Sequence, residues 1–101
     1  MADSPLPKRL KEARIAAGIS QKQLGIAAGM DEFSASPRIN QYETGKHTPD
    51  FLTLKRIADV LKLSPSYFYS NEDDLAEMIK IFSQLSPIDK NYILTILKGF
   101  K

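Results

Sequence analysis

The sequence has no cysteine and only one histidine, His47. The first absence excludes a disulfide framework and a thiolate metal site, and the second excludes a metal centre built from several histidines. No apolar run approaches the roughly 20 residues that a membrane helix needs. The first eight residues also lack the apolar stretch of a signal peptide. We therefore expect a cytoplasmic protein that has no metal, no cofactor and no membrane partner.

Patterns typical of enzymes are missing too. The chain has no glycine-rich phosphate loop and no nucleophile paired with a base. Its clustered carboxylates are interpreted as solvated helix caps and loops. We therefore expect no catalytic activity and no small-molecule ligand.

The chain has 101 residues, of which 43% are apolar. This length suits one folded unit, because a core of this size needs no metal or disulfide to hold it. Residues 1–70 carry ten basic and seven acidic side chains, whereas residues 71–101 carry four and five. The mild excess of positive charge in the first part fits a nucleic-acid partner, and it equally fits an ordinary solvated surface.

Apolar residues recur at helical spacing through most of the chain, and no stretch alternates as a strand would. Caps and breakers divide this pattern into segments, among them Gly18, Ser20, Gly45 and the Ser-Pro pairs at positions 36, 64 and 86. The pattern predicts helices over residues 8–17, 21–28, 37–44, 50–61, 65–69, from 71 or 72 onwards, and 87–100.

The same pattern predicts which side chains face inward. Leu24, Ala27 and Ala28 are expected on the inner face of the second helix. The aromatic side chains expected in the core are Tyr42, Phe51, Tyr67 and Phe68.

The second predicted helix, a tight connection and the third helix together form a candidate helix-turn-helix. In such a pair the second helix lies in the DNA major groove, and the first crosses the backbone.

A set of residues also keeps a characteristic order between Pro7 and Tyr69. Its members are Leu10, Arg14, Gly18-Ile19-Ser20-Gln21, Leu24, Ala27, Ile39-Asn40-Gln41-Tyr42-Glu43-Thr44-Gly45-Lys46, Pro49, Leu54, Ile57-Ala58, Leu61 and Leu63-Ser64. This set resembles the Cro/lambda-repressor-type helix-turn-helix family of phage and bacterial regulators. The resemblance implies an all-α, five-helix lambda-repressor-like DNA-binding domain over residues 1–70. Two further helices follow over residues 71–101.

The resemblance also implies which side chains contact DNA, and helix 37–44 becomes the one that enters the major groove. Gln21 matches a residue that meets a phosphate, and the loop after the third helix matches further phosphate contacts. Bases are contacted from the outward positions of the third helix. The full set is Gln21, Ser36, Arg38, Asn40, Gln41, Thr44, Lys46 and His47.

Some of these assignments have alternatives. Arg38 bridges a guanine or contacts a phosphate, and Asn40 and Gln41 contact adenine or are simply exposed polar residues. Arg14 and Glu43 match a pair that ties the first helix to the third, so we interpret them as a structural ion pair.

One departure from the family lies between Met30 and Ile39, which are about four residues further apart than the common family spacing. Asp31-Glu32-Phe33-Ser34 is the predicted insertion. It places two acidic residues near the expected DNA surface, and we expect Phe33 to pin the loop to the body.

The last thirty residues lie outside the resemblance. Two amphipathic helices of this length cannot bury both apolar faces on each other alone. We hypothesise a homodimer, which would match a palindromic operator, with an interface formed by Phe82, Ile93, Ile96, Leu97 and Phe100. The alternative is that these residues pack within one chain.

The predicted function is sequence-specific binding of double-stranded DNA that regulates transcription. Of the two directions of regulation, repression is the one predicted. The alternative from another class is an antitoxin or adaptor whose C-terminal helices bind a different protein.

Overall fold

A computed structural model describes residues 4–100 of the protein. These residues form α1 (Leu6–Ala16), α2 (Gln21–Ala27), α3 (Ala35–Thr44), α4 (Phe51–Leu61), a 3-10 helix (Pro65–Tyr69), α5 (Asp73–Ser83) and α6 (Pro87–Lys98). No strand occurs within this range. The predicted all-α fold with five helices followed by two is therefore confirmed. The absence of a signal peptide was inferred partly from residues 1–3, which lie outside the described residues.

The predicted caps fix most helix boundaries. Ser20 accepts a hydrogen bond from the backbone N–H of Gln23, whose side chain accepts one from the Ser20 N–H in return. This capping box satisfies two donors that the helix itself leaves free. Asp50 is predicted as the first residue of the fourth helix, but it is the cap of α4, which begins at Phe51, and its carboxylate accepts a hydrogen bond from the Thr53 N–H at 2.8 Å. Gly45 ends α3 with φ of +80°, a left-handed conformation that glycine adopts without steric cost.

The start of α3 differs from the prediction, because the helix begins at Ala35 and not at Pro37. The carbonyl oxygen of Asp31 accepts hydrogen bonds from the N–H groups of Ser34 and Ala35, at 3.1 and 3.0 Å. The inserted turn therefore begins the helical winding before the Ser36-Pro37 pair. Pro37 fits inside the first turn, where an N–H has no partner within the helix.

The buried core lies between α1, α2, α3, α4 and the 3-10 helix. The largest fully buried side chains are Phe68, Leu6, Leu10, Leu24, Ile39, Leu54 and Ile57. Tyr67 and Phe68 meet edge to face, with ring centroids 5.2 Å apart. Their burial confirms that the 3-10 helix closes the core, as predicted for this pair and for Tyr42.

The helix-turn-helix pair crosses closely through small residues. A β-carbon added at Gly25 would lie 2.6 Å from the β-carbon of Ala35, so only glycine fits there. The inner face of α2 thus consists of Leu24, Gly25 and Ala28. The prediction that Ala27 faces inward is wrong, because Gly25 takes the position that meets α3.

Two aromatic predictions are also wrong. Phe51 is 62% exposed, since it occupies the first position of α4, at the end of the apolar stripe, where the core does not cover it. Phe33 is 87% exposed and does not pin the inserted loop, because the turn around Asp31 directs it outward.

The C-terminal helices are attached at one end of the body. α5 packs against the 3-10 helix, and Ala76 is the buried residue of α5. Leu75 and Met78 remain more than two-fifths exposed, and α6 has no buried residue. Within residues 4–100, no helix is both long and apolar enough to cross a membrane.

Candidate nucleic-acid interface

The outer side of α3 carries an exposed stripe that consists of Pro37, Asn40 and Thr44. The three residues follow each other at spacings of three and four, which places them on one face of the helix. Ser36 and Gln41 flank this stripe and are half-buried. Of the side chains expected to contact bases, Asn40 therefore lies on the exposed stripe, and Ser36 and Gln41 lie beside it.

Gln21 at the start of α2 connects the two helices. Its Nε2 donates to Asn40 Oδ1 and to Glu43 Oε1, both at 3.1 Å. The hydroxyl of Ser36 donates to Gln21 Oε1 at 3.5 Å. Asn40 keeps its own amide N–H groups and a second lone pair on Oδ1 for a further partner. These contacts fix the orientation of the outward polar side chains before any ligand arrives.

Arg14 and Glu43 form a two-point ion pair beneath this surface. Arg14 Nε donates to Glu43 Oε2 at 2.6 Å, and Nη2 donates to Oε1 at 3.2 Å. Arg14 Nη1 also donates to the carbonyl oxygen of Ile19 at 3.0 Å. The pair is largely buried, and it ties α1 to α3 and to the connection that precedes α2.

Arg38 lies beside the exposed stripe and not on it. Its Nη2 donates to the hydroxyl of Tyr42 at 3.2 Å. The pKa of Asp50 is lowered mainly by hydrogen bonds from Thr53, with smaller contributions from the charges of Arg56 and Arg38. Arg38 therefore extends towards the start of α4, a direction that suits a phosphate contact as well as a base contact.

The loop after α3 brings together the remaining predicted contacts, Thr44, Lys46 and His47. All three residues are exposed. The Thr44 hydroxyl and the His47 N–H both donate to the carbonyl oxygen of Gln41, at 3.3 and 3.2 Å. Lys46 forms no salt bridge with any residue in the described part of the chain. Its charge is thus available at the edge of the surface.

The helix-turn-helix family model matches residues 10–68. The chain belongs to this family. The expected likeness to Cro/lambda-repressor-type regulators is confirmed, and the helix-turn-helix protein is a DNA-binding protein of this regulator class. It is also similar to the crystal structure of the transcriptional regulator BswR, with 48% sequence identity, a TM-score of 0.87 and 94% of each chain covered. None of the curated proteins compared with the chain matches it.

The predicted interface residues of the helix-turn-helix protein lie on the C-terminal helices, and the structure brings only some of them together. Phe82, Ile93 and Leu97 line one groove of about 540 Å³ between α5 and α6. No charged side chain lines this groove. Ile96 and Phe100 lie outside it and are 42% and 80% exposed.

Sequence reasoning missed the role of Arg9. Its side chain is buried, its Nε donates to the carbonyl oxygen of Ser70 at 3.1 Å, and its Nη2 donates to Asp73 Oδ1 at 3.0 Å. The guanidinium also lies 5.9 Å from the centre of the Tyr67 ring. Arg9 thus holds the start of α5 on the body. The two hydrogen-bond partners are more than sixty residues away in the chain, so no local pattern could reveal them.

Proposed function

We propose that this protein is a transcriptional repressor that binds a palindromic operator in the cytoplasm as a homodimer. The observation that carries the proposal is the exposed outer side of α3, where Gln21 orients Asn40 and the largely buried Arg14–Glu43 ion pair fixes the helix from below. A pre-oriented polar helix face of this kind fits the major groove of B-form DNA. Repression follows sterically, when the bound protein excludes other proteins from the site.

Base discrimination is assigned to Asn40 on the exposed stripe and to the polar side chains that flank the stripe. Asn40 and Gln41 carry amides that can bridge N6 and N7 of adenine. Arg38 can bridge O6 and N7 of guanine, or bind a phosphate from the side of the helix. The Ser36 hydroxyl lies next to Gln21 and can donate a hydrogen bond either to Gln21 or to an acceptor on DNA.

Phosphate contacts are assigned to the two ends of the helix pair. Gln21 is the first residue of α2, Thr44 is the last residue of α3, and Lys46 and His47 follow it. Contacts to phosphates fix register and orientation, but they carry no sequence information directly.

The homodimer is supported by the apolar surface of the C-terminal helices. Ile93 and Leu97 line the groove between α5 and α6, and Ile96 and Phe100 extend the apolar surface beyond it. A second copy of the chain would cover the same surface on its partner and would generate two-fold symmetry. Two recognition helices related in this way match the two halves of a palindrome.

In-vitro selection of bound duplexes from a random pool tests both sequence-specific DNA binding and binding as a dimer. We expect a palindromic consensus. On that duplex, Gln41→Ala should weaken binding by about 1–3 kcal/mol and relax preference at one base pair in each half-site. Lys46→Ala is the matched control: it should weaken binding to all duplexes similarly and reduce the salt slope by about one for each subunit of the dimer. A Gln41→Ala variant with unchanged affinity for cognate and random duplexes would contradict the assignment of the reading face.

Sedimentation equilibrium tests the homodimer. The full chain should have the mass of a dimer, and Leu97→Asp should shift it to a monomer because a charge would enter an apolar interface. Thr95→Asp, on the same helix, is the control and should keep the dimer. A monomeric wild-type chain would contradict the proposal.

The uncharged groove favours a second candidate, in which the C-terminal helices bind a different protein and the chain acts as an antitoxin or adaptor. Co-purification of a second polypeptide in fixed stoichiometry, lost in Leu97→Asp, would favour this candidate over the homodimer.

A further inference from the structure

Phe33 is the most exposed large apolar side chain among residues 4–100, with 87% of its surface accessible. It belongs to the inserted turn, two residues before α3 begins. Nothing in the core or in the helix-turn-helix contacts described above requires an aromatic residue there. A single exposed apolar side chain is common on protein surfaces, so a role for Phe33 depends on where its side chain lies.

The position of Phe33 continues the exposed stripe of α3. Hydrogen bonds from the Ser34 and Ala35 N–H groups to the Asp31 carbonyl show that the inserted turn is already wound like the helix. On this winding Phe33 precedes Pro37 by four residues and Asn40 by seven, so all three share one face. Phe33 therefore extends the stripe by one turn beyond the N-terminal end of the recognition helix. In this class of protein, that end contacts base edges.

The inserted turn is held rigidly. The carboxylate of Asp31 accepts from the Phe33 N–H at 2.9 Å and from the Ser34 hydroxyl at 2.7 Å. These hydrogen bonds, led by the one from Phe33, lower the pKa of Asp31 and keep it ionised. Because the turn is already ordered, a contact through Phe33 requires little further ordering of the backbone.

The charges of the turn restrict what Phe33 can meet on a duplex. Asp31 and Glu32 are both exposed carboxylates, which repel the phosphate backbone. An exposed aromatic ring has no donor for a phosphate either. The apolar group that a base pair presents in the major groove is the C5 methyl of thymine.

We propose that Phe33 is a further specificity-determining residue, which packs against the C5 methyl group of a thymine in each half-site. This inference rests on the proposed function, and it assigns to the insertion a role that the family resemblance does not provide. A pyrimidine without the methyl group leaves the ring without its apolar partner.

Replacement of single thymines by deoxyuridine tests the proposal, because it removes only the methyl group. In the duplex selected by the wild-type protein, each symmetric pair of thymines is replaced in turn. At one pair, the substitution should weaken wild-type binding about threefold to fivefold per half-site, the effect of losing burial of one methyl group. Phe33→Ala should bind the thymine and uracil duplexes equally, and Phe33→Leu should restore part of the difference.

Glu32→Ala, in the same turn, is the matched control. It should bind all duplexes more tightly because a negative charge is removed, and it should keep the wild-type ratio of thymine to uracil affinity. The far-ultraviolet circular dichroism of each variant checks its fold.

The outcomes separate the two proposals. Wild-type protein that selects no consensus would overturn the proposed function and this inference with it. A consensus whose thymines can all be replaced by uracil without effect would overturn only the role of Phe33. The same conclusion follows if Phe33→Ala retains the wild-type ratio of thymine to uracil affinity. It also follows if Phe33→Ala loses binding to a second protein while its binding to DNA is unchanged.

Discussion

The two parts of the molecule bury their apolar side chains to very different extents. Among residues 4–100, every apolar member of the buried core except Ala76 lies between Leu6 and Phe68. In contrast, α6 has no buried residue, although it carries Ile88, Tyr92 and Ile96 on its surface. The same chain thus contains a body that packs against itself and a helical pair that does not.

This difference indicates where each part obtains its stability. Helices in proteins are stabilised mainly by the packing of an apolar face. In the body, α1 to α4 and the 3-10 helix provide that packing for one another. On α6, Ile93 and Leu97 line the groove, while Ile88 and Tyr92 face away from it. Because α5 cannot cover both of these apolar sides of α6, the C-terminal pair needs another protein surface to pack against.

The largest expected effect is a difference in the free energy of unfolding between two glutamate-to-alanine substitutions, one in each part of the molecule. Glu43→Ala should lower the free energy of unfolding by about 3 kcal/mol, because it leaves the largely buried Arg14 guanidinium without its carboxylate. Glu77→Ala, on the exposed side of α5, should change it by less than about 0.5 kcal/mol. Urea denaturation at one protein concentration measures both, and similar losses would contradict the contrast between the two parts.

A smaller effect is expected where α2 crosses α3. Gly25→Ala should destabilise the protein by about 1–3 kcal/mol, since its β-carbon would overlap Ala35. Ala35→Gly removes only the nearest atom, because the Cα and the carbonyl oxygen of residue 35 would still lie 2.8 and 3.0 Å from the added carbon. The double variant should therefore recover little of the loss, and the two single effects should add to within about 0.5 kcal/mol in thermal denaturation. A double variant that is as stable as Ala35→Gly alone would show that the backbone at this crossing is not tightly packed.

Much of the body could be predicted from sequence because its determinants are local. The spacing of Leu54, Ile57 and Leu61 predicts α4, and the capping residues Ser20 and Ser86 mark helix starts that the structure confirms. These spacing and capping patterns are only a few residues long. The outward positions of α3 are predicted from the family resemblance, which extends from Pro7 to Tyr69.

The failures have physical causes that lie outside such patterns. The Ser36-Pro37 pair is a strong start signal, but Asp31 begins the winding earlier through hydrogen bonds of its own carbonyl oxygen. Whether Phe51 is covered depends on the tertiary packing around the end of α4. Arg9 binds Ser70 and Asp73, which only the folded chain brings near it.

Hydrogen exchange at several protein concentrations sharpens the comparison. If a second copy covers α6, the free energy that protects its amides should grow by about 0.7 kcal/mol for each tenfold rise in protein concentration. This is half of the roughly 1.4 kcal/mol that a factor of ten represents, because each dimer dissociates into two chains. Amides of α4 that exchange by local opening within the body should not change. Concentration-independent protection of α6 would contradict its coverage by a second copy of the chain.

The smallest expected effect concerns the contact that joins the two parts. The Arg9 guanidinium, helped by the charge of Lys8, lowers the pKa of Asp73. A carboxyl group whose pKa is lowered by folding contributes stability that is fully present above its unfolded pKa, about 3.9, and that is lost as the pH falls through the lower folded value. The attachment of α5 should therefore weaken only below about pH 4.

Asp73→Asn should remove that dependence on pH, since an amide carries no charge to titrate. The change should be small because the Asp73 side chain is 80% exposed and solvent screens the pair. Amide exchange in α5, followed from neutral to acidic pH, measures it. Asp74→Asn keeps the contact with Arg9 and is the control. If both variants retain the wild-type dependence, Arg9 holds α5 through the carbonyl oxygen of Ser70 alone, and the charge of Asp73 has no part in joining the C-terminal helices to the body.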